Sequence, residues 1–308
     1  MSGLPQPKSI AIMGATATGK SDLAMDLAVR LGGEIVSIDS RQVYIGMDIG
    51  TAKVPESIRR GVPHHLIDFL SPDEANSAGA HAALALQACR QIQRRRKIPI
   101  LAGGTGLYFR AVFDGLLDLH IPKEDLSAVR EAFAAKETDE LYRELTERDP
   151  QRAAELSAND RMRITRALEV EKITGTPISR LFAEQKAIPP WQGVKIVLTA
   201  PREELRRRIA ERTREMFQAG WVDEVKRLLD EGYGIDAPGM KSIGYGEIAG
   251  AIVQGADPLQ TIDQVITVTR QYAKRQETFF RGEEDAAWID ITRPDYKDGV
   301  LAAIGDRT

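Results

Sequence analysis

Cysteine is nearly absent. Cys89 stands alone in 308 residues, so no disulfide can close within one chain, and one cysteine with four histidines cannot assemble a zinc finger. Cys89 lies in an apolar stretch of helical spacing and is expected to be a small core residue rather than a nucleophile. No apolar run approaches the ~18 residues of a membrane span. Met1–Lys8 lacks the charged-then-apolar layout of a signal peptide, so a cytoplasmic protein with no membrane partner is expected. Neither sign of charge dominates: 42 Lys and Arg stand against 45 Asp and Glu, for a net −3. The overall basicity common among nucleic-acid binders is missing, so any such contact must rest on local clusters. The lack of a DDxxD motif excludes a chain-elongating prenyl synthase, and the lack of N-K-x-D excludes a GTPase.

What is present is a strand–loop–helix rhythm. Ser9–Met13, Glu34–Ile38 and Ile98–Ala102 are short apolar runs that read as buried parallel strands, each followed by glycine or a polar loop. Helical spacing marks Ser21–Leu31 and Ala80–Arg96, the latter ending in four basic residues, Arg94–Lys97, which suit a helix C-terminus. Vicinal His64 and His65 make a poor metal site and read as structural. From about His120 to Pro189-Pro190 the chain is helical, charged and free of strand-like runs. Val194–Ala200 then rejoins the sheet, helices are expected at Arg202–Ala219, Val222–Glu231, Tyr245–Gln254 and Asp257–Arg281, and Ala287–Ile291 is a last strand. The pattern predicts an α/β fold: a P-loop NTPase-like, doubly wound parallel sheet core with a helical insertion domain. Residues 1–119 and 191–308 form the two parts of the core and 120–190 the insertion.

Gly14, Ala15, Thr16, Ala17, Thr18, Gly19, Lys20 and Ser21 match G-x-x-x-x-G-K-[ST], placed between a buried strand and a helix start as that motif requires. The glycines let backbone N–H groups converge on oxygens, and the helix N-terminus adds partial positive charge. Lys20 can reach terminal phosphate oxygens, and the Ser21 hydroxyl can ligate Mg2+. The motif marks a diphosphate or polyphosphate site without saying which, since most owners of this loop act on a nucleotide γ-phosphate. Asp39 ends the second strand and should face that site, because ligands bind outside the carboxyl ends of such strands. From position alone it can be a Mg2+ ligand, a general base, or a cap for the following segment.

Further motifs follow in order. They are Asp39–Tyr44 (DSRQVY), Met47–Lys53 (MDIGTAK), His64–Asp68 (HHLID) and Gly103–Tyr108 (GGTGLY). Then come Asn159-Asp160 with Arg163 and Arg166–Glu169, Arg214 with Met216-Phe217 and Gly220, Ile243–Tyr245, and Tyr272–Gln276 (YAKRQ) with Thr278 and Phe280-Arg281. Their order and spacing resemble the bacterial-type tRNA dimethylallyltransferase (tRNA isopentenyltransferase) family over nearly the whole length. Departures occur at Ala15, Thr18 and Ser21, where the family usually has Pro, Ser and Thr, and at Met162, Lys241-Ser242 and Phe279. Met162 replaces a frequent Gln and can lose a tRNA contact.

The resemblance implies transfer of a dimethylallyl group from dimethylallyl diphosphate to N6 of the adenine 3′ of the anticodon, with Mg2+ as cofactor. The partner is the tRNA anticodon loop, and the target base is extruded from its stack to reach a buried site. Asp39 is implied to take the N6 proton. Thr105 is implied to hydrogen-bond near that amine, though it can equally cap the helix starting at Gly106. Arg214 is implied to contact the diphosphate, although its helix also carries Arg206, Arg207, Arg208 and Arg212. Contact with tRNA falls to Asp39, Ser40, Arg41, Gln42, Thr105, Met162, Arg163, Ile164, Thr165 and Arg166, with Lys274 and Arg275 weaker candidates. Arg163 and Arg166 share a helical face, and ion pairs to Asp160 or Glu169 compete with that role. A monomer is expected. Three rivals share part of the pattern: a P-loop kinase, an adenylate isopentenyltransferase acting on free nucleotides, and a non-catalytic RNA-binding module.

Overall fold

The structure, a computed structural model, describes residues 8–59, 61–116, 123–184 and 191–305. The expected insertion boundary at His120 and the closing Pro189-Pro190 lie outside the described residues. The chain forms two compact units, Met1–Phe113 with Trp191–Thr308, and Asp114–Pro190.

The first unit is built on a parallel sheet of six strands: β1 Ile10–Gly14, β2 Glu34–Ser37, β3 His64–His65, β4 Pro99–Ala102, β5 Val194–Thr199 and β6 Ala287–Asp290. Parallel strands need crossovers, which helices supply here. These are α1 Lys20–Leu31, α2 Ala78–Arg94 and α3 Gly106–Phe113. The second unit holds α4 Lys123–Ala134, α5 Thr138–Arg148, α6 Pro150–Glu155, α7 Arg161–Thr174 and α8 Ile178–Glu184, and the chain then returns to the first unit with α9 Arg202–Gln218, α10 Trp221–Asp230, α11 Tyr245–Val253, α12 Ile262–Phe280 and α13 Tyr296–Gly305. β1 and β2 are buried along their whole length, which is why they read as unbroken apolar runs. Five strands fall where their apolar runs predict. β3 is a two-residue edge strand, too short to leave a periodic signature.

The strand order is β3-β2-β4-β1-β5-β6. β4 separates β2 from β1, so the loops leaving the carboxyl ends of these three strands lie side by side. They carry Asp39, Gly103–Thr105 and the Gly14–Ser21 loop. The sheet therefore assembles the site from segments far apart in sequence. The expected helix Asp257–Arg281 is divided: Asp257 accepts from the Leu259 amide and Pro258 starts a separate 3-10 turn, Pro258–Thr261, before α12 begins.

At the other end of the sheet Glu34, 2% exposed, gathers Arg95 (2.6 Å), Lys97 (3.0 Å) and His65 (2.8 Å). The basic residues that end α2 and one of the vicinal histidines, His65, thus serve one buried carboxylate, while the His64 ring hydrogen-bonds the Val62 carbonyl. Burial alone would raise its pKa; hydrogen bonds from Arg95, His65 and Lys97 outweigh that and hold it at about 2. The stability this network contributes is complete above the ordinary carboxylate range near 4.5 and is lost as pH falls toward about 2. Glu34→Gln is expected to cost about 2 kcal/mol of unfolding free energy at pH 7, since it strands partly buried cations. Denaturant titrations at pH 7 and pH 3 should show the wild-type advantage shrinking at the lower pH.

The second unit has its own core of Phe133, Leu141, Leu145, Ile164, Leu168 and Val170. Asp149 fastens α6 to α8: one oxygen accepts from the Arg152 amide and the Ser179 hydroxyl (2.6 Å), the other from the Ser179 amide.

Candidate active site

β1 enters the phosphate loop at Gly14, with φ of 145° and its Cα so close to β5 that a Cβ would lie 2.5 Å from the Leu198 carbonyl oxygen. Only glycine fits there. Ala17 and Gly19 adopt left-handed conformations, which turn successive amides toward one side. α1 starts at Lys20 with no side-chain cap, so its first amides are available to an anion. The Thr18 hydroxyl (2.8 Å) and the Lys20 ammonium (2.6 Å) both donate to the Ala15 carbonyl.

Two cavities meet over this loop. One, of about 540 Å³, is polar, lined by Gly19, Lys20, Ser21, Gly103, Arg208 and Gln276 among others. The other, of about 340 Å³, carries an apolar wall of Ile209, Met216, Trp221 and Ile243 with Arg41, Ser242 and Arg275. Thr16, Ala17, Asp39, Thr51, Arg212 and Tyr272 line both. The arrangement suits a ligand with an anionic end and an apolar end, with Asp39 and Arg212 at the junction.

Lys20 is pushed down to about 7, by burial first and by the Arg212 guanidinium second, with Asp39 opposing. Between about pH 7 and its ordinary 10.5 the unfolded chain holds a proton that the folded chain has released. A diphosphate bound in this loop would supply negative charge and draw the proton back. Calorimetry of dimethylallyl diphosphate binding at pH 8.5, in buffers of different ionisation heat, should show uptake of about one proton per ligand. The uptake should vanish in Lys20→Arg, whose charge is permanent.

Asp39 is half-buried. Its Oδ1 accepts from the amides of Arg41 (2.8 Å) and Gln42 (3.3 Å), an Asx turn that realises the capping reading, while no hydrogen bond from a described residue reaches Oδ2. One oxygen orients the carboxylate and leaves the other available. Thr105 does not cap its own helix with its side chain. Its Oγ1 accepts from the Ser40 amide (3.1 Å) and donates to the Ser40 hydroxyl (3.4 Å), tying the β4 loop to the β2 loop. The Tyr272 hydroxyl, pushed up to about 12 by burial and the nearby Asp39 charge, hydrogen-bonds Thr105.

Three expected site residues are exposed away from the cavities, committed to other partners or buried. Arg214 is exposed and lines neither cavity. The positions of α9 that line the two cavities are Arg208, Ile209, Glu211, Arg212, Thr213, Glu215 and Met216, with Arg208 held by Glu204 (2.7 Å), and Arg214 lies about 200° around the helix from Arg212 at ~100° per residue. Arg212 is the cleft arginine: it donates to the Thr16 hydroxyl (3.3 Å), and burial holds its pKa below the usual value against the pull of Asp39, Asp22 and Glu215. Leu205, Ile209 and Thr213 form the buried face that Arg212 adjoins; their spacing marks that face but not that it borders a cleft. Gln42 lines the polar cavity, yet its amide is committed inward, accepting from Ser37 (3.1 Å) and donating to the carbonyls of Thr51 and Ala52, so it has no free donor for tRNA. Ile164 is 0% exposed in the core of the second unit and cannot touch RNA.

The remaining α7 positions are accessible. Met162 is 79% exposed, Thr165 is half-buried, and Arg163 and Arg166 are exposed, paired with Asp160 (3.3 Å) and Glu169 (3.2 Å). Arg41 donates to the Pro238 carbonyl (3.1 Å) while lining the apolar cavity. The Ser21 hydroxyl and the Asp22 carboxylate stand at the polar cavity with Asp39. Among the described residues no three His, Cys, Asp or Glu gather as a metal cage. Such a sparse set of hard oxygens fits a cation that completes its shell with water and phosphate oxygens.

The sequence profile described as IPP transferase matches residues 42–283, and that described as isopentenyl transferase matches residues 7–62. The chain belongs to the IPP transferase family. A tRNA dimethylallyltransferase of Desulforudis audaxviator is 42% identical over 287 residues, 92% of either chain. The crystal structure of a tRNA delta(2)-isopentenylpyrophosphate transferase from Staphylococcus epidermidis superposes with a TM-score of 0.70 at 32% identity, covering 97% of this chain and 99% of that one. A eukaryotic dimethylallyltransferase, solved acting on tRNA, gives a TM-score of 0.79 at 27% identity over 96% of this chain and 77% of that one. The P-loop core expected from the sequence is the core of this family. Among the described residues, no helix of this IPP transferase family member is long and apolar enough to cross a membrane.

Proposed function

We infer that the chain is a tRNA-modifying prenyltransferase. It moves a dimethylallyl group from dimethylallyl diphosphate to N6 of the adenine 3′ of the anticodon, giving N6-isopentenyladenosine and diphosphate. The observation that carries this is the junction of a phosphate cradle with an apolar cavity at one carboxylate, in a chain whose relatives are named for this reaction.

Three tasks divide among the residues. The loop amides, Lys20 and Arg212 hold the diphosphate and stabilise the charge that grows on it as the C1–O bond breaks. Ile209, Met216, Trp221 and Ile243 cover the allylic chain and keep water from a carbon with cationic character. As N6 bonds to C1, its proton passes to Asp39 Oδ2, because adenine N6 is too weak an acid to ionise beforehand. Thr105, which lines neither cavity and whose hydroxyl engages Ser40 and Tyr272, fixes the segment beside Asp39 against which the amine is held. Ser21, with Asp22 nearby, would hold Mg2+. Bound Mg2+ supplies charge neutralisation on the departing diphosphate. The exposed Met162, Arg163 and Arg166, with Thr165, are assigned to the tRNA backbone, their ion pairs with Asp160 and Glu169 exchanging for phosphate contacts. This reading has the protein act in the cytoplasm, as a monomer.

Incubation with radiolabelled dimethylallyl diphosphate and hypomodified tRNA should place the label on the adenosine next to the anticodon after nucleoside analysis. Transfer to free AMP instead, or consumption of ATP with no transfer to RNA, would overturn the reading.

A further inference from the structure

Gln276 is not part of the chemistry above, yet it occupies a singular place. It is 6% exposed, on the face of α12 turned to the sheet. Its Oε1 accepts from the Thr16 amide of the phosphate loop at 2.9 Å, and its Nε2 donates to the Gly104 carbonyl at 2.8 Å. The approach is close: a Cβ on Gly104 would lie 2.2 Å from Nε2, so a larger residue at 104 would push this amide away from its present hydrogen bonds. The next residue is Thr105, which accepts from the Ser40 amide, and Ser40 follows Asp39. A path of hydrogen bonds and one peptide link thus runs from the phosphate loop through Gln276 and Gly104 to Thr105 and on to the residue beside the carboxylate.

We propose that Gln276 is a positioning residue that registers the leaving-group site against the acceptor site, so that a diphosphate seated in the loop sets the place of Thr105 and Asp39. This rests on the transfer reaction inferred above. The physical demand is narrow. One buried group must accept from an N–H on one side and donate to a C=O on the other. Among side chains of that length only a neutral amide or a protonated carboxyl does both. The amide orientation follows from its neighbours, since Thr16 offers only a donor and Gly104 only an acceptor. The engaged Thr16 amide is withheld from the ligand, which leaves phosphate binding to the amides from Ala17 onward and makes Gln276 a determinant of geometry rather than of affinity.

Two variants separate these roles. Gln276→Met fills the space but leaves both backbone groups unpaired. Its kcat with tRNA is expected to fall about 10- to 100-fold while the KM for the donor changes by less than about threefold. Gln276→Glu keeps both bonds only when protonated, so its kcat relative to wild type should climb as pH is lowered toward the carboxyl's titration. A second readout does not depend on transfer: inorganic pyrophosphate should shift the Ser40 and Thr105 amide resonances in wild type and leave them in place in Gln276→Met. A kcat within about threefold of wild type, a loss falling on donor KM alone, or identical pyrophosphate shifts in both proteins would each sink the proposal. A wild-type protein that moves no prenyl group overturns the functional reading instead, and the resonance test still decides the role of Gln276.

Discussion

Asp39→Asn is expected to lower the single-turnover rate of prenyl transfer by about 10²- to 10⁴-fold. The substitution is nearly isosteric. An asparagine Oδ1 can still accept from the Arg41 and Gln42 amides, so the turn that shapes the β2 loop survives. What disappears is the second oxygen's capacity to take a proton, the one function that capping does not need. Donor and tRNA dissociation constants should therefore stay within about threefold, because the loss lies in the transition state alone. Asp39→Ala should lose the turn as well and weaken tRNA binding in addition. If Asn transferred at the wild-type rate, Asp39 would be a cap and the base would have to be sought elsewhere.

Arg212→Ala is expected to reduce kcat/KM for the donor by about 10²- to 10³-fold, a typical effect of deleting one preorganised charge at a developing anion. Arg214→Ala, on the exposed side of the same helix, should leave it within about twofold, as surface charges do. The contrast tests the position of the cleft arginine directly. A second signature follows from the proximity of two cations. Arg212 helps hold the Lys20 amine down near 7, so its removal should raise the pH at which Lys20 titrates. NMR of ε-labelled lysine, with Lys20→Arg for assignment, reads that change without any assay of transfer. In wild type this mutual repulsion is a stored preference for an anion, which a bound diphosphate would relieve. Loss of activity in Arg214→Ala with Arg212→Ala unaffected would reverse the assignment.

The cradle was legible because its requirements are local. A strand ending in glycine, a lysine at a helix start and a hydroxyl after it follow one another in the chain, and backbone geometry does the rest. The same holds for Asp39, placed by a single strand end. Arg214 and Ile164 were not legible as they stand, since a motif's spacing tells which segment approaches a ligand and not which side of the helix does so. Ile164 lies two residues from exposed Met162 and is fully buried; Arg214 lies two from Arg212 and is exposed. Gln42 shows the complementary difficulty, a polar residue in the right loop whose hydrogen bonds are consumed at home.

By itself, then, the order of residues determined the element sequence, the phosphate loop and the carboxylate at the strand end, because period, turn chemistry and helix starts act over a few neighbours. The tertiary structure decided which arginine faces the cleft, how an apolar wall from α9, α10 and the loop before α11 comes to face the phosphate loop, and that Gln276 spans 260 positions in the chain to hold Thr16. Those facts depend on strand order and on the rotation of packed helices. Both are set by the burial of apolar faces across the whole unit, which no local stretch of sequence contains.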